Sequence, residues 1–151
     1  MAYNNSGYGS LYDSSPGPDD RGRCYFIGGN SASTSMDQIV NLTAFANIID
    51  NGTTMFNLSS WFGGWNTQDD NAALTVTFQN SALTNIGNST ILGPFLAVDR
   101  NITTCSIFRN IIGLVPVNAR QMTVMVNITR VNAGASNDGS VDNIRFEIAC
   151  N

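Results

Sequence analysis

The chain predicts an all-β fold: a jelly-roll β-sandwich of about eight strands, with one short helix and an extended N-terminal tail. Three observations carry this. The 151 residues include no Lys and a single Glu, Glu147, so surface helix formers are scarce. Thr, Val, Ile, Phe, Asn and Gly are abundant instead, which suits short strands joined by turns. From Arg23 onward, apolar and polar residues alternate with period two in one stretch after another.

Residues 1–22 stand apart as a tail and linker. Gly, Ser, Asn, Asp and Pro dominate there, and Pro16-Gly17-Pro18 cannot continue a helix. Tyr3, Tyr8, Leu11 and Tyr12 give this segment apolar anchors, so it is more than a spacer. Residues 23–151 form the predicted jelly-roll domain. Strands are expected near 23–28 and 36–41. A short helix is expected over 43–50, where Leu42, Phe45 and Ile49 recur at helical spacing and Thr43 is placed to cap it. In 54–62, Phe56, Leu58 and Phe62 share a face and Asn57 takes the other. In 73–79, Leu74, Val76 and Phe78 oppose Thr75, Thr77 and Gln79. Further strands are expected near 90–96 and 105–115. In 121–130, Met122, Val124, Val126 and Ile128 form the apolar face. In 142–150, Ile144, Phe146, Ile148 and Cys150 face inward, with Arg145 and Glu147 outside.

Seven N-x-S/T sequons occur, at Asn4, Asn41, Asn51, Asn57, Asn88, Asn101 and Asn127, about twice what an Asn-, Ser- and Thr-rich composition yields by chance. Asn57 and Asn127 point away from the apolar faces of their strands, and Asn51 and Asn88 fall in Gly-containing turns. The sequons therefore read as N-glycan acceptors of an extracellular, secreted protein.

Charge excludes several classes. Charged residues make up 12% of the chain, net charge is −4, and the seven Arg form no cluster. Phosphate binding needs a positive footprint, so nucleic acid is not an expected partner. No apolar run is long enough for a membrane span. Without His there is no Ser-His-Asp or Cys-His arrangement, and without Lys no Schiff-base amine. Asp69-Asp70 is a carboxylate pair only in sequence. No enzymatic activity and no required cofactor are expected.

Gly28-Gly29, Ser60-Trp61-Phe62-Gly63-Gly64-Trp65, Gln68-Asp69-Asp70-Asn71-Ala72, Leu92-Gly93-Pro94, Asp99-Arg100, Gly113-Leu114-Val115-Pro116 and Asn137-Asp138-Gly139 with Asp142-Asn143-Ile144 occur in an order that resembles secreted, galactose-binding-like jelly-roll domains. Such domains usually open with one more strand ahead of the stretch matching Arg23–Gly29. Only the Pro/Gly linker and tail stand there. A sandwich short of a strand leaves an edge open to pairing. The plan is similar to glycosylated extracellular filament subunits with a donated N-terminal strand. The resemblance thus implies a structural subunit that polymerises head to tail through Tyr3, Tyr8, Leu11 and Tyr12, copies of itself being its partners. The tail folding back on its own domain is the other arrangement.

A carbohydrate-binding, lectin-like module is the alternative. Trp65, with Asn66, Gln68 and Asp69, could offer an aromatic platform with convergent polar groups. The other arrangement is that Trp61 packs under the loop and Trp65 covers a sheet edge. The resemblance also implies a structural calcium, with Asp142 inward at the start of the last strand and Asp69, Asp70 and Asp138 as partners. Alternatively, Asp142 caps the 137–139 turn. In this architecture the first and last strands are antiparallel neighbours, which would bring Cys24 and Cys150 within disulfide range, leaving Cys105 a lone thiol.

Overall fold

The computed structural model describes residues 1–4, 11–131, 134 and 136–149. Eight strands form two antiparallel four-stranded sheets. They are β1 (Phe26–Gly29), β2 (Ser33–Asn41), β3 (Met55–Gly64), β4 (Asn71–Gln79), β5 (Asn85–Leu92), β6 (Cys105–Leu114), β7 (Gln121–Thr129) and β8 (Asn137–Ala149). The sheet orders are β1-β8-β3-β6 and β2-β7-β4-β5. Pairing first with last, second with seventh and third with sixth is the winding of a jelly roll.

Alternation explains the core. Phe56, Leu58 and Phe62 of β3 face Leu74, Val76 and Phe78 of β4 and Met122, Val126 and Ile128 of β7, all nearly inaccessible. Phe56 stacks on Phe146 with centroids 5.4 Å apart. Between β2 and β3 a 3₁₀ turn, Thr43–Phe45, leads into one helical turn, α1 (Ala46–Ile49), which buries Ile49. Thr43 does not cap it; the Asn41 carboxamide oxygen accepts the Thr43 backbone N–H at 2.8 Å.

β2 begins three residues before its expected start, at Ser33, and three other strands differ from their expected bounds for identifiable reasons. The strand expected at 90–96 runs instead from Asn85 to Leu92. Gly93 then adopts φ +103° against the Ala72 carbonyl, a conformation that ends the extended run. β1 begins at Phe26, because residues 23–25 turn away to pair with the tail. Ala2 bridges Cys24, Tyr3 N–H donates to the Arg23 carbonyl at 3.1 Å, and Tyr25 N–H donates to the Met1 carbonyl at 2.8 Å. The third difference is β8, which starts at Asn137 and absorbs the expected turn over 137–139.

β8 also carries a bulge. Ser59 pairs with Arg145 but Trp61 pairs with Asp142, so two β8 residues, Asn143 and Ile144, stand against Ser60 alone. Asn143 sits at φ +48°, the left-handed conformation that Asn tolerates. The extra residue reverses the parity: Val141 and Ile144 face the core, and Asp142 lies on the outer face. The expectation of an inward Asp142 fails for this reason.

The expected Cys24–Cys150 disulfide falls partly outside the described residues, since Cys150 is not among them. β1 and β8 are antiparallel neighbours, but β1 meets the N-terminal half of β8, from Asn137 to Val141. Continuing that register places Cys24 beside Asn143, and Ala149 lies about 20 Å further along the strand. A disulfide needs Cα atoms within about 7 Å. Cys24 is an exposed free thiol, Cys105 a buried one, and Cys150 lies outside the described residues. Burial pushes the Cys105 thiol pKa up, against the opposing pull of Arg100.

Candidate functional site

The outer face of the first sheet brings distant residues into rows. Across β6, β3 and β8 the register gives Ile112–Asn57–Glu147, then Asn110–Ser59–Arg145, then Phe108–Trp61–Asp142. The rings of Trp61 and Phe108 are 5.7 Å apart and tilted by 59°. Phe108 is 48% exposed. Next to them is a shallow trough of about 420 Å³, lined also by Asn57, Asn143, Arg145, Glu147 and Asp20. Asn110 Nδ2 donates to Asn57 Oδ1 at 3.1 Å, and Arg145 pairs with Glu147 at 2.7 Å in largely exposed positions. Asn143 Nδ2 donates to Asp20 Oδ1 at 2.9 Å, closing one side with the linker. Aromatic rings beside amide, guanidinium and carboxylate groups suit a polyhydroxylated ligand: the rings take its C–H faces and the polar groups its hydroxyls.

The Trp65 loop is built differently. Trp65 is 37% exposed, but its polar companions serve the fold. The buried Arg100 guanidinium donates to the carbonyls of Gly64, Thr103 and Gln68 at 3.0, 2.6 and 2.8 Å. Burial lowers the Arg100 pKa, with nearby Cys105, Asp69 and Asp99 opposing. Asp69 Oδ1 accepts the Ala97 N–H at 3.0 Å, Gln68 Oε1 is buried, and Asn66 N–H is tied to Thr104 Oγ1 at 3.0 Å. Trp65, Asn66, Gln68 and Asp69 are therefore near one another without converging on a common cavity. Arg100, the keystone of this loop, has no local signal in the sequence: its Asp-Arg context reads as an exposed turn.

The proposed calcium ligands separate. Asp70 and Asp138 are neighbours, but both Asp70 oxygens are engaged, by the N–H groups of Val131 at 2.7 Å and Asp138 at 3.1 Å. Asp138 Oδ1 is buried without a hydrogen-bond partner. Asp142 is elsewhere, accepting the Tyr3 hydroxyl at 2.6 Å and the Asn143 N–H at 2.8 Å. Among the described residues no three acidic, His or Cys side chains come together. Calcium takes about six to eight oxygens, and this set does not fit it.

The tail residues gather in a second small core. Tyr3, Leu11 and Tyr25 are buried together, with the two tyrosine rings 4.7 Å apart. Arg21 lies over the Tyr3 ring at 5.3 Å, and Leu11 N–H donates to the Tyr25 hydroxyl at 3.0 Å. Burial, then the hydrogen bond to Asp142, raises the Tyr3 phenol pKa well above its usual range. Tyr12 is 44% exposed, and Tyr8 lies outside the described residues. Within this chain, then, the tail folds back. Of the sequon asparagines, Asn4, Asn41, Asn51, Asn88 and Asn101 are exposed, and Asn57 and Asn127 are partly exposed on outer faces.

No protein-family model matches the chain, and no curated protein sequence does. Solved structures match in fold. The enzymatically active domain of tailspike protein 4 from bacteriophage CBA120 superposes with TM-score 0.62 at 11% identity, over 87% of this chain. This chain spans only 16% of that one. A family 16 carbohydrate-binding module superposes with TM-score 0.55 at 18% identity, over 85% of this chain and 79% of the other. At these identities the likeness establishes the β-sandwich fold. Among the described residues, no helix is long and apolar enough to cross a membrane.

Proposed function

We propose that this protein is an extracellular carbohydrate-binding module that holds a glycan in the trough beside Trp61 and Phe108. One observation carries the reading: β3 and β6 place two aromatic rings in one register row, with the amide, guanidinium and carboxylate groups of Asn57, Arg145 and Glu147 in the rows beside it. The fold shared with a carbohydrate-binding module over most of both chains supports it. The reading keeps the lectin-like function expected from the sequence and moves its seat from Trp65 to Trp61.

The ligand class is a neutral or weakly anionic oligosaccharide. One Arg among carboxylates and amides gives no strong anion trap. Binding is expected without turnover of the glycan.

Isothermal titration against a panel of soluble polysaccharides tests this. Trp61→Ala is expected to weaken binding by about tenfold, since an aromatic contact is worth about 0.5–1.5 kcal/mol beyond the area it buries. Trp65→Ala is expected to change affinity less than about twofold. Equal affinity in wild type and Trp61→Ala, or loss confined to Trp65→Ala, would reject the trough as the site.

A further inference from the structure

The trough stops abruptly at one end. Its rows lead along the strands from Ile112–Asn57–Glu147 to Phe108–Trp61–Asp142. The next row on the same face runs across all four strands, as Ser106–Gly63–Ser140–Ile27. That row is covered. Ser106 and Ser140 are almost inaccessible, and Ile27 packs against the Tyr3, Leu11 and Tyr25 cluster. At the opposite end Ile112 and Leu114 are largely exposed, and the face stays open.

The linker makes the closed end. The Pro16 carbonyl accepts the Ser106 N–H of β6 at 2.8 Å, and Asp20 Oδ1 accepts the Asn143 amide of β8 at 2.9 Å. β6 and β8 flank β3 and lie about 10 Å apart. Residues 16–20 therefore cross the face transversely to the strands, just beyond Phe108 and Trp61. Two prolines restrict the backbone of this crossing, and Pro18 in its middle is buried. Arg21 holds it from behind by donating to the carbonyls of Tyr12, Ser15 and Pro18. The Tyr3 hydroxyl donates to Asp142, the β8 member of the last open row, at 2.6 Å. The crossing is thus a wall tied to both outer strands and backed by the N-terminal core.

We propose that the trough recognises the end of a glycan chain, with Asp20 reading the terminal sugar. The inference rests on the carbohydrate-binding reading of this same trough. A sugar lying on Trp61 and Phe108 abuts the wall, so it has room for a neighbouring unit on one side only. An internal unit of a polysaccharide needs room on both. A terminal sugar also carries a free hydroxyl where an internal one carries a glycosidic oxygen. The hydroxyl can donate to a carboxylate, and the glycosidic oxygen has no proton to give. Asp20 is an exposed carboxylate at the closed end, oriented by Asn143, and its bond to such a hydroxyl is charge-assisted. The outermost rows are roughly 13 Å apart along the strands. With a volume of about 420 Å³, the trough holds a chain end of about two or three sugars.

Isothermal titration of the full chain tests the proposal. The probes are soluble xyloglucan, β-glucan and galactomannan, and oligosaccharides of about two to six sugars cut from each. Saturation is expected at one protein per polysaccharide chain. Affinity is expected to rise up to the trisaccharide and to change less than about twofold from there to the hexasaccharide. Asp20→Ala is expected to weaken trisaccharide binding by about fivefold or more. Many proteins bound along one polysaccharide chain overturn the proposal, as does affinity that climbs steadily to the hexasaccharide or is indifferent to Asp20→Ala. Each of those results leaves the carbohydrate reading standing wherever Trp61→Ala still weakens binding. Absence of binding to every probe rejects both together.

Discussion

At the scale of single residues, buried polar groups are where this sequence was hardest to read. Arg100 and Asp138 both sit in Gly-, Asn- or Asp-rich stretches that look like exposed turns, and both are almost wholly buried. Gly64 and Gln68 around Arg100, and Asp70 beside Asp138, come from segments far away along the chain, so the local sequence does not announce the burial. Asp138 has a testable consequence. Burial raises its pKa most, Asp70 adds to the rise, and the Ser136 hydroxyl opposes it. The folded state therefore holds this proton more tightly than the unfolded state. The group's contribution to stability is greatest at low pH and declines as pH climbs from the ordinary carboxylate range through the raised folded value. Asp138→Asn removes the buried charge and is expected to raise the melting temperature at pH 7 by roughly 2–4 °C, with the gain shrinking toward pH 3. Calorimetry in buffers with and without calcium checks this, and calcium is expected to leave the wild-type curve unchanged. A calcium-dependent shift lost in Asp138→Asn would show that the pair holds a cation after all.

At the scale of elements, alternation located the strands, and tertiary pairing set their ends. β3, β4, β6 and β7 lie close to their expected positions because Phe56–Phe62, Leu74–Phe78 and Met122–Ile128 keep strict period two. β8 shows the limit of that argument. Its alternation from Ile144 to Ile148 is genuine, but extrapolating it past Asn143 crosses the bulge and assigns Asp142 to the wrong face. A bulge is a two-against-one match between strands, invisible in either strand alone. The bulge rests on a left-handed residue, so Asn143→Gly is expected to be nearly neutral, whereas Asn143→Val is expected to cost about 1–2 kcal/mol in urea unfolding. Equal stability of the two variants would mean that β8 can shed the bulge. The trough was hidden for a similar reason. Trp61 was visibly out of phase with Phe56, Leu58 and Phe62, but Phe108 and Arg145 join it only through strand register.

At the scale of the whole molecule, the jelly-roll β-sandwich of about eight strands and its one short helix were legible. What composition could not give was the pairing of β8, which meets β1 only from Asn137 to Val141. The sequons add a constraint at this scale. Asn57 lies within the trough, so a glycan attached there would compete with an external ligand for the Trp61 face. In material from a glycosylating host, Asn57→Gln is expected to strengthen ligand binding several-fold, while in unglycosylated material it is expected to weaken binding modestly through loss of the Asn110 contact. Titration of both preparations, with intact mass to count attached glycans, checks the pair of outcomes.

The linker ties these regions together. Its Pro16 carbonyl accepts the Ser106 N–H at 2.8 Å, Arg21 clasps the carbonyls of Tyr12, Ser15 and Pro18, and Asp20 reaches Asn143 at the trough's rim. One short strap thus touches both the rim of the trough and the segment that carries the Tyr3–Leu11–Tyr25 cluster. A ligand that shifted Asp20 at the trough's rim would therefore load the small N-terminal core as well, so occupancy of the one and stability of the other are thermodynamically linked.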